Sequence, residues 1–196
     1  MHNTNGNQFD EDKALEIAVQ IALHSGQTLV DELSKPKEVY LKGRKDLVSN
    51  VDKMVEEQII DSLTNIFPGD GIIAEESGSK PTETGFSWVI DPLDGTRNYI
   101  RGIPFFSLVI ALTFYEEVVL GVTYDPIRKE LFHAVKGNGA YLNNESIVVS
   151  NKDRLSEALI GYDLGYVDDK AGKAIEMISD LWPDLQSTRM MGSAAL

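Results

Sequence analysis

The segment "FFSLVIALTFYEEVVLGVTYD" (105–125) decides the fold class, because it contains two runs of β-branched and aromatic residues separated by a short polar break. Such runs are typical of β-strands, and the break at Tyr115-Glu116-Glu117 suits an antiparallel hairpin. Asp125-Pro126 suits a second hairpin. Further strand-like runs lie on both sides of this segment: "GIIAEE" (71–76), "SWVIDPL" (87–93) and "ELFHAVKGNGAYLN" (130–143). The middle of the chain therefore predicts a meandering sheet.

Two helices are predicted before these strands. Apolar residues recur at helical spacing across 9–33 and again across 50–67, where Pro68-Gly69 ends the second pattern. The basic segment 35–46 contains Pro and Gly and reads as a connection between the two helices.

Strand and helix patterns alternate after the sheet. We expect a strand at 159–164, a helix at 170–182 and a short strand at 186–192. The chain thus predicts an α+β domain over 1–150 that is joined to the beginning of an α/β domain over 151–196. Ser193 suits the N-cap of a following helix, yet the sequence stops at Leu196, so we expect a longer parent protein with this second domain incomplete.

Composition excludes several classes of function. The net charge of −13 disfavours nucleic acid or an anionic membrane as a partner. With no cysteine, the chain has no disulfide, no thiolate nucleophile and no cysteine metal site. The polar start (1–13) does not resemble a signal peptide, and no apolar run is long enough for a membrane helix, so we expect a cytoplasmic protein.

Two carboxylates, Asp91 and Asp94, follow the apolar run Trp88-Val89-Ile90. Like charges placed close together at a buried strand end repel each other unless a cation compensates. Oxygen ligands without histidine or cysteine select Mg²⁺ or Mn²⁺. Gly95 leaves space for a ligand and Thr96 supplies a hydroxyl. The alternative is an Asp-Gly turn whose two carboxylates are simply solvated.

Further acids lie upstream. Glu75 and Glu76 end another apolar run, and in a strand their side chains would point to opposite faces, so at most one would face a shared centre. Asp52 falls in the first turn of the second helix, where an acid also favours the helix dipole. Each of these acids therefore has a purely structural alternative.

Six blocks in the same order resemble the inositol monophosphatase family of Mg²⁺-dependent, lithium-sensitive phosphomonoesterases. These blocks are "DLVSNVD" (46–52), "AEES" (74–77), "WVIDPLDGTRNYIRGIPFF" (88–106), "GVTYDP" (121–126), "KGNGAYLN" (136–143) and "RMMGSAAL" (189–196). The resemblance covers residues 10 to 196 and implies the layered α/β sandwich of inositol monophosphatases and fructose bisphosphatases. It also implies a phosphorylated polyol or sugar as substrate, and we expect a homodimer.

The resemblance implies a set of metal ligands. Glu75, Asp91 and the backbone carbonyl of Leu93 would bind a first Mg²⁺, and Asp91 and Asp94 would bind a second. Glu76 would support these ligands or lie near a third, weaker ion, and Mn²⁺ could replace Mg²⁺.

The resemblance also implies the residues that meet water and substrate. Thr96, hydrogen-bonded to Asp52, would orient the attacking water, with Glu75 also taking part in catalysis. The amides of Gly95 and Thr96 would hold the phosphate, and Lys42 matches a family lysine near the site. Gly192, Ser193 and Ala194 would line the polyol pocket.

The family pattern continues past this sequence with a further aspartate that completes the second metal site. We therefore expect this chain to bind one divalent ion more tightly than a second. Two alternatives stay open: a non-catalytic module that binds metal or a phosphosugar, and a haloacid dehalogenase type enzyme. The latter needs Asp-x-Asp, whereas here two residues separate the aspartates.

The substrate stays open among inositol phosphates, fructose 1,6-bisphosphate, phosphonucleotides and NADP. Arg97 and the block "NYIRGIPFF" (98–106) favour the inositol monophosphatase branch.

Overall fold

The structure, a computed structural model, describes residues 10–43 and 46–196. The polar start up to residue 9, and residues 44 and 45 of the predicted connection, lie outside the described residues. The helices are α1 (Glu11–Leu33), α2 (Asn50–Ile66), α3 (Thr96–Ile100) and α4 (Asp168–Leu181). The strands are β1 (Val39–Leu41), β2 (Leu47–Ser49), β3 (Gly71–Ala74), β4 (Gly78–Lys80), β5 (Phe86–Asp94), β6 (Ser107–Phe114), β7 (Glu117–Asp125), β8 (Glu130–Val135), β9 (Ala140–Leu142), β10 (Glu145–Ile147), β11 (Leu159–Gly161) and β12 (Ser187–Arg189).

One eight-stranded sheet, in the order β10-β9-β8-β7-β6-β5-β3-β4, forms the framework. From β5 to β10, each strand runs antiparallel to the next, which confirms the two predicted hairpins. Strand β3 lies parallel to β5. Because parallel strands end at the same edge, the acids that follow β3 and those at the end of β5 come to one edge of the sheet.

Helices α1 and α2 cover one face of this sheet, α1 against β6 and β7 and α2 against β5. Burial alternates along β6: Leu108, Ile110 and Leu112 are fully buried, whereas Val109 and Ala111 are only partly covered. This alternation is expected when the buried face of a sheet packs on helices.

A short hairpin replaces part of the predicted connection at 35–46. Strand β1 pairs antiparallel with β2 immediately before α2. The sequence reading missed it because the three residues of β1 are exposed and give no alternating apolar pattern.

The second layer is small. Strands β11 and β12 lie parallel and are connected through α4, which confirms the predicted strand–helix–strand order. The domain boundary near residue 150 stays a prediction. Throughout the described ranges, none of the helices combines the length and apolar character needed to span a lipid bilayer.

We predict that Ile59→Ala destabilises the fold by roughly 2–5 kcal/mol, because Ile59 on α2 is fully buried in the core and its removal leaves a cavity. Urea unfolding measures the change. Met54→Ala on the same helix is the control: Met54 is 38% exposed, so its loss should change stability by less than about 0.5 kcal/mol. Equal effects of the two substitutions would contradict this account of the core.

Candidate active site

The two aspartates of "DPLDGT" lie at an irregular end of β5. Asp91 pairs with Val109 and Asp94 with Ser107, so three steps along β5 match two along β6. The extra residue makes a β-bulge, and the Leu93 amide donates to Asp91 Oδ1 over 3.0 Å. Both carboxylates consequently face the same cleft.

This cleft has a volume of about 490 Å³. Most of the site residues that the sequence predicts line this cleft. The predicted residues that line it are Glu75, Asp91, Leu93, Asp94, Gly95, Thr96, Gly192, Ser193 and Ala194. Asp52, Lys42 and Glu76 do not line the cleft; Asp52 is hydrogen-bonded to Thr96, and Lys42 to both Glu75 and Glu76.

The ionised form of Asp91 is disfavoured in this cleft. Its burial, together with the neighbouring charges of Glu75 and Asp94, raises the pKa of the Asp91 carboxyl from 3.8 to about 8. Desolvation and like charges both disfavour the ionised form of a carboxyl. A cation in the cleft would favour the ionised carboxyl and so oppose both effects.

The carboxylates fit a hard divalent cation by their chemistry, since all are oxygen donors and carry negative charge. However, across residues 10–43 and 46–196, no group of three or more Asp, Glu, His or Cys side chains is arranged to hold a metal ion. Protein donors contact two of the acids instead: the Lys42 ammonium on Glu75, and hydroxyl and amide groups on Asp94. Binding of a cation therefore requires these contacts to rearrange.

Of the two glutamates, Glu75 lines the cleft and Glu76 does not, which agrees with the prediction that at most one would face a shared centre. Strand β3 ends at Ala74, so both glutamates lie in the turn that follows it, where strand alternation does not apply. Lys42 Nζ lies 3.1 Å from Glu75 Oε1 and also donates to Glu76 Oε1. Burial lowers the pKa of Lys42, but its hydrogen bonds to Glu76 and Glu75 outweigh this effect and raise it overall.

Asp52 combines the two roles that the sequence left open. Its Oδ2 accepts the Ser49 amide (2.9 Å) and hydroxyl (2.5 Å), which completes a capping box at the start of α2. Its Oδ1 lies 2.9 Å from Thr96 Oγ1, which also lies 3.0 Å from the Leu93 carbonyl oxygen. Burial raises the pKa of the Asp52 carboxyl against the opposing effect of these hydrogen bonds.

Asp94 connects the end of β5 in the large sheet to the segment that follows β12. Its carboxylate accepts the Ser193 hydroxyl, the amide of Ala194 (2.9 Å) and the amide of Ala195 (3.0 Å). The residues after Ser193 form no helical turn, as expected because three residues are too few for a helix to persist.

Asn98, which the sequence reading did not single out, fixes this junction. Its Nδ2 donates to the carbonyls of Phe105 (2.9 Å) and Met191 (2.8 Å). Gly192, at φ +76°, passes so close to Asn98 that an added Cβ would lie 3.1 Å from its amide atoms. Gly95, at φ +91°, makes the left-handed turn into α3. The sequence signal that could have identified Asn98 was its position two residues after Thr96.

Arg97, Tyr166 and Asp163 also line the cleft and were not predicted as a group. The Arg97 guanidinium lies 4.5 Å from the centre of the Tyr166 ring, a cation–π contact. Burial raises the pKa of Tyr166. Asp163 falls within the strand predicted at 159–164, but β11 ends at Gly161, so Asp163 and Tyr166 both lie in an irregular segment.

Residues 10–196 match the Inositol monophosphatase family, and the chain belongs to that family. Among its relatives, an inositol monophosphatase of Dictyostelium discoideum is 39% identical over 94% of this chain and 70% of its own length. The Nus factor SuhB of Pasteurella multocida is 37% identical over 93% of this chain and 70% of its own. The crystal structure of the extragenic suppressor protein SuhB from Bartonella henselae superposes with a TM-score of 0.88 at 33% identity, covering 93% of this chain and 72% of the other.

The family and the fold together define the class of the protein as a phosphatase, a hydrolase acting on phosphorylated substrates. They also confirm the predicted layered fold.

We predict that the cation-free chain loses stability as the pH rises from about 4 to about 8. The pKa of Asp91 is higher in the folded chain than in the unfolded chain, so the folded chain binds the proton more tightly and loses this advantage as the pH rises through about 8. Asp91→Asn should flatten the slope and raise stability at the alkaline end. Chemical unfolding across this pH range measures both effects.

The control for this experiment is Asp180→Asn, which alters an exposed acid on α4 and should keep the wild-type slope. An Asp91→Asn variant with the wild-type slope would show that Asp91 titrates normally.

Proposed function

We propose that the chain is a Mg²⁺-dependent phosphomonoesterase that hydrolyses inositol monophosphate or a related polyol phosphate by direct attack of water. One observation carries the proposal: Glu75, Asp91 and Asp94 line a single cleft together with Thr96, whose hydroxyl lies 2.9 Å from the buried Asp52 carboxylate. Family membership supports it, since the chain is a phosphatase.

Glu75, Asp91, Asp94 and the Leu93 carbonyl are the groups that would hold Mg²⁺, with Mn²⁺ as a substitute. When bound, the ion would lower the pKa of water and offset negative charge on the phosphate and the leaving oxygen. Glu76 and Lys42 would set the charge and orientation of Glu75 from behind, because Lys42 contacts both glutamates.

Thr96 and Asp52 would orient the attacking water and take up its proton. Thr96 Oγ1 can accept a hydrogen bond from water while donating its own proton to Asp52 Oδ1. The raised pKa of Asp52 favours proton uptake. Water oxygen then bonds to phosphorus as the bond to the polyol oxygen breaks, and no phosphorylated side chain is formed.

The remaining cleft residues would bind the substrate. The amides of Gly95 and Thr96 would hold the phosphate, while Gly192, Ser193 and Ala194 would contact the polyol. Ser193 and Ala194 donate to Asp94, so these donors lie beside the proposed phosphate position. The family resemblance also leads us to propose a cytoplasmic homodimer.

A second candidate is a module that binds a cation or a phosphosugar without turnover. The observation in its favour is that Asp94 is held by Ser193, Ala194 and Ala195, and that no metal-ready cluster of acids is formed within the described part of the chain.

Phosphate release tests the proposed function directly. The chain is incubated with inositol 1-phosphate, fructose 1,6-bisphosphate, 2′-AMP and NADP, with Mg²⁺ or with EDTA. We expect Mg²⁺-dependent release that is fastest with inositol 1-phosphate and is abolished by Asp94→Asn. Asp61→Asn, an exposed acid on α2, is the control. Cation binding without release from any substrate would favour the second candidate.

We predict that Thr96→Val lowers kcat by about 100-fold or more, because valine has the shape of threonine but cannot relay a proton to Asp52. Thr96→Ser keeps the hydroxyl and should keep most of the activity. Steady-state kinetics on inositol 1-phosphate measures both variants. Near wild-type kcat in Thr96→Val, with a loss in Thr96→Ser, would mean that the site needs the methyl group and not the hydroxyl.

A further inference from the structure

Glu56 is a buried carboxylate that the proposed reaction does not use. It lies on α2, and only 2% of the residue is exposed. Burying a carboxylate costs free energy unless strong hydrogen bonds replace its water. The partners of Glu56 therefore indicate why an acid is present at this position.

Both oxygens of Glu56 bind consecutive backbone amides in the turn after β3. Oε2 accepts the Glu76 amide over 2.8 Å, and Oε1 accepts the Ser77 amide over 2.8 Å. Hydrogen bonds from amides to a charged acceptor are among the stronger ones in proteins. A glutamine could not make both, because its NH₂ group would face an N–H donor.

This turn also carries the acids of the cleft. The Glu75 amide donates to the Ile90 carbonyl of β5 over 3.3 Å, so β5 holds the start of the turn while Glu56 holds the next two amides. The turn is thereby fixed at three successive amides, which sets where the Glu75 side chain enters the cleft beside Asp91.

Glu56 follows Asp52 by four residues on α2, so the two side chains lie on the same face of the helix, one turn apart. Asp52 contacts Thr96, and Glu56 contacts the turn of Glu75 and Glu76. Helix α2 thus sets the position of the Thr96 hydroxyl relative to that of the Glu75 carboxylate.

We propose that Glu56 is a positioning residue: through the amides of Glu76 and Ser77 it holds the acidic turn in register with the Thr96–Asp52 pair. Its effect on catalysis rests on the proposed phosphatase function, whereas its effect on the turn does not.

Glu56→Gln tests the proposal, with Glu57→Gln, an exposed neighbour on α2, as the matched control. In the cation-free chain, we expect the amides of Glu76 and Ser77 to exchange hydrogen at least about 10-fold faster in Glu56→Gln, since one strong hydrogen bond is lost. We also expect weaker Mg²⁺ binding by calorimetry and a lower kcat with little change in KM. The control should match the wild type in all three.

The outcomes separate this inference from the proposed function. A wild-type chain that neither binds Mg²⁺ nor releases phosphate would refute the function, while faster exchange in Glu56→Gln would still support the positioning role. A variant with a lower Tm but wild-type exchange at 75–77 and wild-type Mg²⁺ affinity would overturn the inference, because Glu56 would then be merely structural.

Glu56→Asp gives a second test if the glutamine variant does not fold. It keeps the charge but is one methylene too short to reach both amides, so we expect faster exchange at one of the two residues. Unchanged exchange at both would overturn the inference.

Discussion

The repulsion among Glu75, Asp91 and Asp94 is the constraint on which the rest of the site depends. Parallel pairing of β3 with β5 brings these acids to one sheet edge, and the bulge between Asp91 and Asp94 turns both aspartates into the cleft. Burial of Asp91, and then the charges of Glu75 and Asp94, raise the pKa of its carboxyl. Such a cluster is costly for folding alone, and it becomes favourable only when positive charge enters.

The surrounding structure limits this cost and fixes the acids for use. Lys42 contacts Glu75, and hydroxyl and amide donors contact Asp94, so the folded chain already places positive or donor groups on the acids. Helix α2 contacts the site through Asp52, which binds Thr96, and Glu56, which binds the turn of Glu75 and Glu76. The last residues also contact Asp94, so a cation that bound Asp94 would have to displace or share these contacts.

The fold could be predicted wherever burial produces a periodic pattern, as in α2 and the β6–β7 hairpin. From its own position Asp52 could be predicted only as an acid in a first helical turn; its contact with Thr96, 44 positions later, could be expected only from the family resemblance. Strand β3 ends at Ala74, two residues before the end of the predicted run 71–76, so Glu75 and Glu76 lie in a turn that the sequence did not predict. Glu56 could not be predicted as a site residue, because its partners are backbone amides, and every residue except proline has one.

Calorimetric titration of the chain with Mg²⁺ at pH 7, in two buffers of different ionisation enthalpy, tests the central claim most directly. If the strain on Asp91 is released by a cation, binding should release about one proton per ion, since a carboxyl with a raised pKa must ionise to become a ligand. Asp91→Asn should bind more weakly and release none. Absence of binding in the wild type, or the same proton release from Asp91→Asn, would contradict the account.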